Sequence, residues 1–192
     1  MNRPAWSGRR GLLTAALLVA PALTISPPSR TARADGLPFT IASPDFRAGG
    51  PLSTRNEWGG GMGCHGGNVA PRLTWSGVPA GTRSFALTVV DPDAKVPGGF
   101  VHWVVYNIPG AWRFMYGNAP QGTTGGTSGF QARSYNGPCP PVGDRPHHYH
   151  FTLYALNVAT LGSPGLTRTT LQRALAGHVL GSTEVIGTFQ RP

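Results

Sequence analysis

Lysine occurs once in these 192 residues, at Lys95, the acids number 7, and cysteine is confined to Cys64 and Cys139. Each scarcity removes a class of function. Without clustered Lys/Arg the chain lacks the electrostatic footprint of a nucleic-acid binder, so no nucleic acid is expected as a partner. No G-x-S-x-G elbow and no H-E-x-x-H pattern occurs, which weakens hydrolase readings. The apolar run from Leu12 to Ile25 is interrupted by Pro21 and falls short of the roughly 20 residues a bilayer span needs.

That run belongs to a leader. Arg3, Arg9 and Arg10 precede it, and Ala32-Arg33-Ala34 offers a small-x-small cleavage site. This is the layout of a secretory signal, expected over residues 1–34 and removed on export. Arg9-Arg10-Gly11-Leu12-Leu13 also fits a twin-arginine address. The expected product is a single domain over 35–192, periplasmic or extracellular, with no transmembrane segment. The leader holds five of the arginines and no acid. Its loss takes the basic count from 16 to 11 against 7 acids, and the net charge from +9 to +4.

In an oxidising compartment a lone cysteine pair reads as a disulfide between Cys64 and Cys139 before it reads as a metal site. Closing that long loop contributes about 4 kcal/mol in the chain-entropy account. The alternative is a pair of free, buried thiols acting as small hydrophobes.

Glycine and proline punctuate the rest at short intervals, with period-2 segments between them, which predicts a mainly β domain. Strands are expected at Phe39–Ile41, Arg72–Trp75, Ser84–Val90, Phe100–Ile108, Tyr149–Leu156 and Glu184–Phe189, the third being central because it is almost continuously apolar. One helix is expected over Arg168–Leu180. Its stripe is Leu171, Leu175 and Val179, its N-cap Thr167, and its C-cap Gly181. The segment Ala111–Gly129 reads as a long surface loop.

Two histidine segments carry the chemistry. Asp91-Pro92-Asp93-Ala94 leads into Phe100-Val101-His102-Trp103, and Gly137-Pro138-Cys139-Pro140-Pro141 leads into His147-His148-Tyr149-His150. Strand parity would place Phe100, His102, Val104, Tyr106 and Ile108 on one face, and His147, Tyr149, Phe151 and Leu153 on another. Taken singly, His102 reads as a core histidine and Asp91 as ordinary turn chemistry. Two junctions with the same polar-then-apolar order instead suggest one polar pocket suited to an anion. A nearby carboxylate would favour the cationic imidazole. The G-x-G-x-x-G spelling at Gly61–Gly66 lacks the strand and helix of a dinucleotide site. The clustered histidines alternate across a strand, so no metal site is expected.

At these residues the chain resembles the phosphatidylethanolamine-binding protein family, also called Raf-kinase-inhibitor-like proteins, in its bacterial branch. The likeness covers nearly all of the expected mature chain. It runs from Ser43-Pro44-Asp45-Phe46 through Gly63-Cys64-His65-Gly66-Gly67-Asn68 and Val78-Pro79-Ala80-Gly81 to the DPDA turn, His102-Trp103, GPCPP and His147-His148-Tyr149. The resemblance implies an antiparallel β core, a large sheet packed with a smaller one, and one or two peripheral helices. It also implies a small cavity for phosphate-like anions or phosphoethanolamine-type head groups. The residues it assigns there are Asp91, Asp93, His102, Pro138, Cys139, His147 and Tyr149. No catalytic residue, cofactor or metal is implied. The resulting expectation is a secreted binding protein without turnover. The alternatives are an inhibitor or regulator docking a partner enzyme at the pocket mouth, and a weak hydrolase. Lys95 stands where the family usually has proline, and His148 where it usually has arginine.

Overall fold

The computed structural model describes residues 1–2 and 37–192, so the leader expected over 1–34 lies outside the described residues save its first two. Strands β1 (Thr40–Ala42), β2 (Leu73–Ser76) and β5 (Phe114–Met115) form a small sheet in the order β1-β2-β5. Strands β3 (Ser84–Asp91), β4 (Phe100–Pro109), β6 (Thr124–Gly125), β7 (His147–Leu156) and β8 (Val179–Phe189) form a large sheet in the order β6-β4-β3-β7-β8. All named pairings are antiparallel. The architecture is the mainly β, two-sheet fold anticipated, with one short helix among the described residues, α1 (Arg168–Leu175).

Every residue of β3 is buried, as its unbroken apolar run requires of a strand covered on both faces. On one face Phe85, Leu87 and Val89 join Trp103, Val105 and Phe151 in a core shared with Ile41, Leu73, Trp75 and Met115 of the small sheet. On the other, Ala86 packs with Val104, Tyr106 and the helical Leu171 and Leu175.

The parity expected along β4 does not hold, because the strand is bulged twice. Val90 pairs with Val101 but Val89 with Trp103, so His102 is an extra residue facing no partner. Leu87 pairs with Val105 but Phe85 with Ile108, which inserts a second extra residue near Asn107. Trp103, Val105 and Ile108 therefore face the small sheet, while Val104 and Tyr106 face the helix.

The helix also ends earlier than its apolar stripe suggests. Thr167 caps it in a reciprocal pair with Thr170. The chain leaves the helix at Ala176, and Gly177 takes a left-handed φ of 77°. Val179 and Gly181 are then claimed by β8, pairing with Leu156 and Ala155. Cross-strand hydrogen bonding outcompetes another helical turn here. The loop expected at Ala111–Gly129 contains β5 and β6, two residues each, with Met115 buried in the main core.

Asn107 holds the second bulge with φ at 56°, its side chain accepting from Leu161 N at 2.7 Å and donating to Thr124 Oγ1 at 3.0 Å. Asn107→Ala loses both the hydrogen bonds and the tolerance for positive φ, whereas Asn107→Gly loses only the bonds. Urea unfolding should rank them wild type, Gly, Ala, with the last two about 1 kcal/mol apart.

Candidate functional site

Strand β3 ends in the turn Asp91–Ala94, and the two oxygens of Asp91 go separate ways. Oδ1 accepts from the backbone N–H of Asp93 at 2.9 Å and of Ala94 at 3.2 Å, closing the turn. Oδ2 meets His147 Nδ1 at 2.7 Å, with both side chains buried. A carboxylate so placed accepts, so Nδ1 carries the hydrogen and the imidazole orientation is fixed. His147 Nε2 then lies 3.6 Å from Asp144 Oδ2.

His102 sits on the first bulge, which turns its ring toward β7 instead of away with Val104. Its Nδ1 is 2.9 Å from the Asn136 carbonyl, which can only accept, so Nδ1 is the N–H and Nε2 carries the lone pair. Its ring packs edge-on against Phe100 and Tyr149, with centroids 5.0 and 5.1 Å apart. Burial pushes the His102 imidazole below its ordinary value and outweighs the attraction of Asp91. Of the two imidazoles, His102 or His147, that a nearby carboxylate was expected to favour as cations, His102 is not one: the carboxylate's hydrogen bond goes to His147, and desolvation favours neutral His102.

The alternation expected along β7 is observed. His147 and Tyr149 are buried, while His148 and His150 lie on the other face. His148 Nδ1 and backbone N–H reach Asp93 Oδ2 at 2.7 and 2.9 Å, and His150 Nδ1 lies 3.0 Å from Glu184. The His148 hydrogen bond holds the Asp93 carboxyl below the usual carboxylate range, helped by Arg145.

These elements enclose a cavity of about 170 Å³. Its polar wall is Asp91, Lys95, His102, Asp144, His147 and Tyr149; its apolar wall is Met62, Phe100, Phe130, Cys139, Pro140 and Pro141. The Tyr149 hydroxyl is buried without a hydrogen-bond partner in the protein. Burial drives its pKa far upward, so it is a standing O–H donor.

Five of the seven residues proposed from sequence, Asp91, His102, Cys139, His147 and Tyr149, therefore line one cavity. Asp93 and Pro138 do not. Asp93 braces the start of β7 from outside, and Pro138 turns its carbonyl to the Trp58 N–H at 2.9 Å. Lys95, in place of the family's usual proline, lines the cavity with its ammonium 3.5 Å from Asp144. Sequence reasoning missed Met62, Phe130 and Asp144. Asp144, one of only 7 acids and three residues before His147, offered a usable signal; Phe130, in an aperiodic loop, offered none.

Cys64 and Cys139 form a disulfide with their Cα atoms 5.9 Å apart, spanning 75 positions. It ties the Met62 loop to the proline wall. Gly137 permits the approach of that wall, since a Cβ there would collide with the Asn56 carbonyl oxygen. Arg191 clamps the same two segments, donating from Nε to Pro140 O at 2.6 Å and from Nη1 to Gly63 O at 2.7 Å.

Two stability predictions follow from these features. His102 is depressed in the folded state, so its contribution is full above about pH 6.5 and falls as pH drops below it, toward the folded value. Unfolding free energies measured against pH should show that slope in wild type and lose it in His102→Phe. Replacing both cysteines with serine should lower stability by about 4 kcal/mol or less, read by denaturant titration.

Comparison with known proteins agrees with the geometry. The family model described as phosphatidylethanolamine-binding protein matches residues 42–190. The UPF0098 protein YbcL of Escherichia coli is 37% identical over 163 residues, covering 81% of this chain and 86% of the relative. A Mycobacterium tuberculosis protein named "Putative lipoprotein LppC" is 44% identical over 154 residues, covering 80% of this chain and 73% of the relative. The crystal structure of Escherichia coli YbcL superposes with a TM-score of 0.75 at 34% identity, covering 80% of this chain and 99% of that one.

Proposed function

The chain belongs to the phosphatidylethanolamine-binding protein family, and from that premise we propose that it is an exported protein binding a small phosphate-like anion or phospholipid head group without turning it over. The observation that carries this reading is the Tyr149 hydroxyl, buried and unpartnered in a pocket beside two imidazoles. Leaving such a group unpaired costs about 1–3 kcal/mol, which a ligand oxygen recovers by accepting from it.

The pocket's electrostatics select the form of the ligand. His102 is neutral, with Nδ1–H committed to Asn136, so its Nε2 accepts instead of donating. A monoester or inorganic phosphate oxygen that still carries its proton satisfies it, and so does the ammonium N–H of an ethanolamine head group; a bare dianion does so only by taking up a proton on binding. Affinity for phosphate and its monoesters therefore rises as pH falls toward their second ionisation near about 6. The volume of about 170 Å³ lies below the roughly 300 Å³ at which drug-sized pockets begin, so a head group fits and acyl chains stay outside.

Binding without turnover is supported by the lining, which offers no Ser or Thr hydroxyl and a Cys139 sulfur already held in the disulfide. Placement in the cell envelope is supported by the arginine-led apolar leader, by the disulfide, and by the lipoprotein name of the mycobacterial relative.

Imidazole NMR during titration with phosphate and phosphoethanolamine tests the proposal. The His102 and His147 signals should move with millimolar ligand, more at pH 6 than at pH 8, and Tyr149→Phe should weaken binding about tenfold through loss of one hydrogen bond. Signals that ignore both ligands would reduce the pocket to a structural feature.

A further inference from the structure

The cavity reads as an anion site, yet one anion already stands inside it. Asp144 lines the wall, and a single carboxylate oxygen, Oδ2, lies 3.5 Å from Lys95 Nζ and 3.6 Å from His147 Nε2. Those are the two nitrogens best placed to meet a ligand's negative charge. His147 has committed only Nδ1, to Asp91, and Lys95 has no other acidic partner among the described residues. His102 presents an acceptor instead, its Nδ1–H being spent on the Asn136 carbonyl. The Asp144 carboxylate thus takes the place at which a phosphate oxygen would be received.

Nothing in the fold asks for a carboxylate there. Asp91 closes a turn and fixes an imidazole at 2.7 Å, and Asp93 holds His148 at 2.7 Å through Nδ1 and at 2.9 Å through the backbone N–H. Both contacts of Asp144 Oδ2 are looser, well beyond the roughly 2.7–2.9 Å of a closed charge-assisted hydrogen bond. Its backbone, in contrast, is fixed. The Asp144 carbonyl accepts from Gln190 Nε2 at 3.0 Å, its N–H donates to Pro141 O at 3.3 Å, and the Gly143 N–H donates to Arg191 O at 3.2 Å. The side chain is 28% exposed, so a rotamer change carries the carboxylate from pocket to water while the loop stays in place. A loosely held charge on a firmly held backbone is able to give way.

The rival use for an acid at this point is to receive the ammonium of a head group. Lys95 argues against it. A second cation would have to displace the ammonium already beside Asp144, whereas an arriving anion gains both Lys95 and His147.

We infer that Asp144 is an internal competitor: in the empty pocket its carboxylate holds the seat between Lys95 and His147, and an incoming anion binds by displacing it. The inference rests on the small-anion reading above and adds to it the residue that sets the charge of the ligand admitted. Once displaced, the carboxylate remains a near neighbour, and its repulsion grows with the charge of the ligand. A phosphodiester, with one negative charge, is admitted more readily than a phosphate dianion.

Calorimetric titration at pH 8 tests this with inorganic phosphate, largely a dianion there, and with glycerophosphoethanolamine, a diester whose phosphate carries one negative charge. Asp144→Asn keeps the shape of the side chain and removes its charge. It should bind inorganic phosphate at least about tenfold more tightly than wild type and gain less for the diester. Asp144→Ala should shift both affinities in the same direction. Adding Lys95→Met to Asp144→Asn should cancel most of the gain, because the freed ammonium supplies it. Unchanged phosphate affinity in both Asp144 variants overturns the inference. So does a loss of diester affinity in them, the result expected of an ammonium receptor. If wild type and variants alike ignore both ligands, the small-anion reading itself falls.

Discussion

Asp91 divides its carboxylate between a turn and an imidazole, and the site depends on that division. One oxygen closes the Asp91–Ala94 turn through two backbone amides, and the other fixes His147, 56 positions away, at 2.7 Å. The turn brings Lys95 to the rim, and the imidazole sets the entry of β7, which in turn brings Tyr149 beneath His102. Turn chemistry and site chemistry are one set of bonds here. A change at Asp91 would disturb backbone and binding groups together, so the neighbouring hydroxyl of Tyr149 reports on binding more cleanly.

Around that anchor the two histidines have opposite characters. His147 is tied to a carboxylate, whereas His102 is packed among aromatic rings and bonded to a carbonyl. Burial decides the second, because desolvation of the cation exceeds the pull of a carboxylate already engaged elsewhere. The result is a pocket containing a donor that does not ionise in Tyr149 and an acceptor in His102. It differs from the broadly positive cleft that a count of histidines suggests.

Much of this arrangement was legible in the residues. The uninterrupted apolar run of Ser84–Val90 marked the central strand, and period-2 alternation separated His147 and Tyr149 from His148 and His150. The cysteine pair and the Asp-Pro-Asp turn were equally readable. The bulge at His102 was not, since two residues facing one is decided by the partner strand and not by local composition. The helix stripe through Leu171, Leu175 and Val179 misled for a related reason. Val179 satisfies either periodicity, and pairing with Leu156 settles it. Phe130 and Met62 reach the cavity from irregular loops, where no period exists to be read.

The wall built from Cys139, Pro140 and Pro141 is secured by Arg191, the last residue but one, and by a bridge to Cys64. The central strand β3 waits for β7, more than 50 residues downstream, before its second edge is paired. Contacts of such long range are slow to form because loop closure precedes any gain. The cavity is consequently a product of contacts between segments far apart in the chain, and its walls keep their spacing only while the bridge at Cys64 and the clamp of Arg191 hold the Met62 loop against the prolines.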